Sequence, residues 1–165
     1  MRHCFFFLPF FLAVLSCNQN TTGNEGQSST PVPAPTQEPA ATLPSVPLKL
    51  LEDIWKEGSQ VDYIFYNYPF TMSLTDTASI RYAVRHIAEN PAPLKPECKP
   101  AGRVTYQIKG NIVLEGDFYF STGCTYFVFE ESRQKKFSNY MTDEGITYFN
   151  NQIQQALKMQ QNMQQ

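Results

Sequence analysis

Few residues in this chain of 165 combine a reactive side chain with a spacing that chemistry uses. Glu115 and Asp117 stand two apart, and on an extended strand that spacing turns both carboxylates to the same side. A carboxylate pair serves glycoside hydrolysis, with one acid protonating the leaving oxygen and the other attacking or activating water. Two acids side by side on a solvated strand face are the commoner arrangement. His86 is the one histidine beyond His3. As a general base it needs an orienting carboxylate and a nucleophile within reach, and its flanks, Arg85 and Ile87, supply neither. The four cysteines are Cys4, Cys17, Cys98 and Cys124. Cys98, Cys124 and His86 make three potential zinc ligands without a fourth at a recognisable spacing. There is no G-x-S-x-G, no Gly-rich phosphate loop and no H-E-x-x-H. The reading is a non-enzymatic protein with no catalytic residues, metal or cofactor.

The elements that must position these groups follow from periodicity. Leu48, Leu51, Ile54 and Trp55 fall on one helical face that ends at Gly58. "VDYIFYN" reads as a strand of β-branched and aromatic residues; Pro69 interrupts it, and Phe70, Met72 and Leu74 read as its continuation. Thr75 or Asp76 caps a second helix, with Ile80, Ala83, Val84 and Ile87 on its buried face and a break at Asn90-Pro91. After the proline-rich stretch "PAPLKPECKPAG", Val104, Tyr106 and Ile108 alternate up to a hairpin signal at Gly110-Asn111. Ile112, Leu114, Phe118 and Phe120 alternate back, and Gly123 turns the chain into "CTYFVFE". A polar loop precedes a short edge strand in "KFSNYM". Thr142 caps a last helix that carries Asp143 and Glu144 in its first turn and Ile146, Phe149, Ile153 and Leu157 on its apolar face, with a fraying Gln-rich tail after Met159. The fold class is α+β: an antiparallel sheet of about four to five strands packed against about three helices in two layers.

The amino terminus sets the protein's address. Arg2 precedes an apolar run over residues 5–15, too short to span a bilayer and of the length of an export-signal core. The run ends in Val14-Leu15-Ser16-Cys17, which resembles a bacterial lipobox, with Val14 where Leu is usual. The resemblance implies a lipoprotein signal peptide over residues 1–16, cleavage before Cys17, and acylation of both the Cys17 thiol and the new amino terminus. Several acyl chains hold a protein on a membrane where one does not. Residues 18–45 are rich in Thr, Ser, Gln, Pro and Ala and poor in large apolar side chains. Such a segment cannot offset the entropy of ordering, and its prolines favour a semi-stiff extended spacer. Residues 17–45 thus read as the lipidated cysteine with a disordered tether, and residues 46–165 as one globular domain. By analogy with lipoproteins kept at the inner membrane by Asp after the cysteine, Asn18 implies the outer membrane, facing the periplasm.

Charge and cysteine use complete the reading. Thirteen basic and fifteen acidic residues leave the chain at −2, and −3 once Arg2 departs with the signal. Basic residues are scattered, so no nucleic-acid footprint exists. With Cys4 removed and Cys17 lipidated, Cys98 and Cys124 remain, and in an oxidising envelope such a pair forms a disulfide. In a three-strand meander the first and third strands lie roughly 10 Å apart, too far for a bridge between facing residues. Cys98, in the loop before the first strand, crosses that end of the sheet to reach Cys124.

Tyr and Phe crowd the predicted strands on both alternation phases. One phase supplies core; the other either forms cross-strand pairs or serves as a recognition face. Since the helices offer apolar cover for one face only, Tyr106, Tyr119 and Tyr126 are the candidate binding face for an envelope protein or glycan. The domain resembles small uncharacterised envelope lipoproteins, and no functional residue is carried over from any of them. The expected function is a lipid-anchored binding or structural module. The alternatives are an inhibitor of an exogenous enzyme, with residues 130–136 as its protruding loop, and an envelope hydrolase.

Overall fold

The computed structural model describes residues 41–162; Cys17, the signal segment and most of the tether lie outside the described residues. The sheet is built by short reversals. β3 (Gly102–Ile108) turns into β4 (Asn111–Ser121) through Lys109 and Gly110, both at positive φ (51° and 81°). That left-handed pair matches the twist of a two-residue hairpin, and Gly110 adopts it without a Cβ penalty. β4 turns into β5 (Cys124–Glu131) at Gly123, φ 77°. β5 turns into β6 (Gln134–Tyr140) through Ser132 and Arg133, again both at positive φ.

Two expectations change here. The polar stretch 130–136 is a hairpin that ends β5 and begins β6, with Glu131 opposite Gln134, rather than a loop before a short edge strand. The second half of "VDYIFYNYPFTMSL" is a separate strand. β1 (Gly58–Phe65) ends before Pro69, and β2 (Thr71–Leu74) returns antiparallel to it, pairing Val61 with Leu74 and Ile64 with Thr71. Alternation persists across a reversal, so the sequence pattern alone did not distinguish a continued strand from a hairpin. The result is one antiparallel sheet of six strands in the order β2-β1-β3-β4-β5-β6, against the four to five expected.

Three helices pack on one face of this sheet: α1 (Leu48–Glu57), α2 (Thr77–Val84) and α3 (Asp143–Asn162). Asp76 is the N-cap of α2, its carboxylate accepting the Ser79 N–H at 2.9 Å. The Thr142 hydroxyl accepts the Gly145 N–H at 3.2 Å in the first turn of α3. The core joins Leu51 and Ile54 of α1, Ile80, Ala83 and Val84 of α2, and Phe149 and Ile153 of α3 to Val61, Tyr63, Val104, Tyr106, Phe118, Phe127 and Phe129 of the strands. Phe149 is its hub, with ring centres 4.9 Å from Phe118, 5.3 Å from Tyr63 and 5.5 Å from Phe120. Leu48 and Trp55, expected on the buried face of α1, are exposed; the Arg81 guanidinium lies over the Trp55 ring.

The opposite face is covered over one half only, and by loop rather than helix. The stretch after α2 runs along the outer edge of β6. The Ala92 N–H donates to Ser138 O, Tyr140 N–H to Asn90 O, and Ala88 N–H to Tyr140 O. Residues 41–46 join it: Leu94 N–H donates to Ala41 O, Ser138 N–H to Pro44 O, and Val46 N–H to the Asn139 side chain. The ordered unit therefore includes residues 41–45, which the composition assigned to the tether. The free edge of β6 supplies the hydrogen bonds, and the stacked Tyr119–Tyr126 pair supplies a seat for Leu43. Cys98 and Cys124 are bonded with Cα atoms 5.9 Å apart, pinning this cover to the start of β5.

Candidate functional site

The strand register assigns every side chain to a face. Tyr106 lies opposite Val61 and Leu114, on the helix side, and is fully buried. Its hydroxyl donates to Ala83 O of α2 at 3.4 Å, and burial drives its phenol far above the ordinary range. Tyr119 and Tyr126 do lie on the other face, directly opposite each other, with rings stacked at 4.5 Å. They are buried beneath Leu43, Ala92, Leu94 and the disulfide, and burial is the first cause of the upward displacement of both phenols. The trio Tyr106, Tyr119 and Tyr126 is therefore not an exposed binding face. One member belongs to the helix-side core, and the other two lie under the proline-rich cover. Tyr106 shares the apolar phase of Val104 and Ile108, Tyr119 lies on the opposite phase from Phe118 and Phe120, and the register places the two rings on opposite sides of the sheet.

The uncovered half of the same face is different in character. Ile64 on β1 and Tyr66 just beyond it are 46% and 51% exposed. Opposite Ile64 stands Arg103 of β3, and opposite Arg103 stands Asp117 of β4. Arg103 is the centre of an ion network. Its Nη2 lies 2.9 Å from Glu115 and 3.5 Å from Glu130, and its Nη1 lies 3.7 Å from Asp117. The bond from Glu115 is the main cause that holds the guanidinium even more firmly protonated than usual. Tyr66 Oη donates to Asp117 at 3.0 Å. A second cluster adjoins it, in which Asp62 accepts from Gln60, Ser73 and Gln107 at 2.6 to 3.1 Å. All these bonds lie within the sheet and its own turn. The half-face is ordered from within and carries four carboxylates against one guanidinium.

This arrangement does not form an acid–base pair. Glu115 and Asp117 do point the same way, yet both are engaged by Arg103. His86 is remote in environment: fully buried under α3 on the helix side, with no carboxylate bonded to either ring nitrogen among the described residues. A cleft of about 330 Å³ lies between the β1–β2 turn and the end of α3, lined by Tyr68, Phe70, Gln152, Leu157 and Met159. Its lining contains no carboxylate, imidazole, amine or thiol. Among the described residues no group of three His, Cys, Asp or Glu side chains is arranged to hold a metal ion, and no helix is long and apolar enough to cross a membrane.

Tyr66 and Arg103, at the centre of the uncovered half-face, are not among the residues the sequence singled out as a candidate site. Glu115 and Asp117, two apart in "LEGDF", are the signal available in the sequence, and the β3–β4 pairing brings Arg103 of "GRVTYQ" to them. No protein-family profile, curated protein or solved structure matches this chain.

Proposed function

We infer that this protein is a lipid-anchored, non-enzymatic binding module of the bacterial envelope, whose partner, an envelope protein or glycan, docks on the uncovered half of the sheet. One observation carries the reading. The helices cover one face, loops cover half of the other, and the remaining half exposes Ile64 and Tyr66 beside a polar network held in place by Arg103. An aromatic ring with an ordered rim of hydrogen-bonding groups suits protein and sugar recognition alike. Pre-ordering of the rim reduces the entropy lost on docking. The lipobox at Val14 to Cys17 supports the anchor, and the proline-rich spacer holds the domain clear of the headgroups.

The test places a photo-crosslinker at Thr105, in the middle of the half-face, in intact cells. Capture of one defined partner that is lost in Tyr66→Ala and in Ile64→Ser, at unchanged melting temperature, supports the reading. A crosslinking pattern indifferent to both substitutions overturns it. Binding of the purified protein to isolated envelope polysaccharide, with the same two variants as controls, distinguishes glycan from protein.

A further inference from the structure

His86 is fully buried at the joint between α2 and α3, and neither ring nitrogen meets a hydrogen-bond partner among the described residues. Buried polar groups are almost always satisfied, so an imidazole held this way calls for a physical reason. Its surroundings are aromatic. The Tyr82 ring of α2 lies 4.8 Å away at 80°, the Tyr148 ring of α3 lies 4.8 Å away at 33°, and Phe149 lies 6.0 Å away. The His86 backbone is the hinge itself. Its carbonyl accepts the Thr142 N–H at 2.9 Å, Ile87 bridges Met141, and a Cβ on Gly145 would come within 2.9 Å of the His86 Cβ. Glycine at that position lets the first turn of α3 close over the ring.

A neutral imidazole fits this cage as an aromatic disc. A protonated one does not, because two N–H donors and a charge would be enclosed without an acceptor. Stacking on Tyr148 offers the cation some compensation. Against it act burial and the adjacent Arg85, whose guanidinium lies over Tyr82 and pairs with Glu144 of α3 at 2.5 Å. No carboxylate reaches the ring from α2, α3 or the Ile87–Met141 bridge among the described residues. Burial first, and Arg85 second, push the imidazole down to about 4.

We propose that His86 is an acid-operated latch: a proton taken from solvent onto its ring expels the side chain from the Tyr82–Tyr148–Phe149 cage and undocks the first half of α3 from α2 and the sheet. The direction follows from linkage. The closed form binds the proton later than an exposed histidine, whose ordinary value is about 6.5. Closure is therefore fully favoured above that value and weakens as pH falls toward about 4. Opening gains roughly twentyfold between pH 7 and 5, and roughly a hundredfold by pH 4. After His3 this is the chain's one histidine, the side chain whose ordinary range lies in that window.

Amide hydrogen exchange on the full-length chain, corrected for the intrinsic pH dependence of exchange, tests the latch. Residues 146–153 should lose about twentyfold in protection from pH 7 to pH 5 while β3, β4 and β5 keep theirs, and His86→Phe, which fills the cage without titrating, should abolish the difference. Unchanged protection, an equal loss across helix and sheet, or the same loss in His86→Phe overturns the proposal. Should that variant not fold, His86→Leu replaces it. Direct titration of the wild-type imidazole by NMR decides independently: an ordinary value near 6.5 in the folded protein also overturns the latch.

Discussion

Phe149 and Tyr66 mark the two ends of what a single aromatic side chain does here. Phe149 of α3 is set between the layers against the sheet rings of Tyr63, Phe65, Phe118 and Phe120. Removing it leaves a cavity walled by two rigid layers that cannot both collapse, so Phe149→Ala should cost about 3–5 kcal/mol. Tyr66 is half exposed, and its hydroxyl donates to Asp117. Tyr66→Ala should stay within about 0.5 kcal/mol of wild type, as surface substitutions do. Urea unfolding of the two variants checks both statements. Equal losses would show that Tyr66 is core and would remove it from the proposed binding face. Tyr106 belongs with Phe149 rather than with Tyr66, since its ring is closed in by α2 and its hydroxyl meets Ala83.

At the scale of elements, the Cys98–Cys124 bond does more than shorten the unfolded chain. It crosslinks residues 26 apart, a loop whose closure is worth about 3 kcal/mol on the chain-entropy estimate. The same bond holds the proline-rich cover on Tyr119 and Tyr126, together with the Lys95 ammonium on Gly123 O and the hydrogen bonds to the edge of β6. The double variant Cys98→Ser/Cys124→Ser should lose about 3 kcal/mol in urea unfolding and admit a tyrosine-directed reagent to Tyr119 and Tyr126, with Tyr106 still protected. Peptide mapping reads the sites. Reaction of all three, or of none, would show that the cover and the bond are not coupled in this way.

At the scale of the whole molecule, the domain covers one edge of its sheet and one face and a half. The edge at β6 is closed by residues 44 and 88–92 and carries Lys135 and Lys136, the devices by which proteins prevent edge-to-edge pairing. The half-face around Arg103 has mostly polar side chains and no cover among the described residues, and it is the surface on which the proposed partner docks. The anchor makes its own prediction: Cys17→Ser should abolish the acyl mass on the protein and move it from the membrane to the soluble fraction. Continued membrane fractionation of that variant, with no acyl mass on the wild type, would refute the anchor while leaving the half-face untouched.

Much of this was legible along the chain because it depends on neighbours in sequence. Helical spacing of Ile80, Ala83 and Val84, the cap at Asp76, the turn at Gly110 and the alternation through Phe118 and Phe127 are local consequences of backbone geometry, and the order of elements follows from them. The pairing of Cys98 with Cys124 was also within reach, because a meander constrains which strand starts lie together. What tertiary structure alone decided is register and cover. Which ring meets solvent depends on which phase of each strand faces the helices; β5 is apolar on both phases, with Tyr126 and Val128 on one and Phe127 and Phe129 on the other, and Tyr66 lies beyond the end of β1. Whether Tyr119 is exposed depends on a proline-rich segment whose composition predicts disorder, yet which finds the open backbone of β6 and two stacked rings to dock on. The isolation of His86 was equally hidden, since a histidine beside an apolar helical face looks the same in sequence whether its nitrogens are satisfied or not. Burial without a partner is a property of three dimensions.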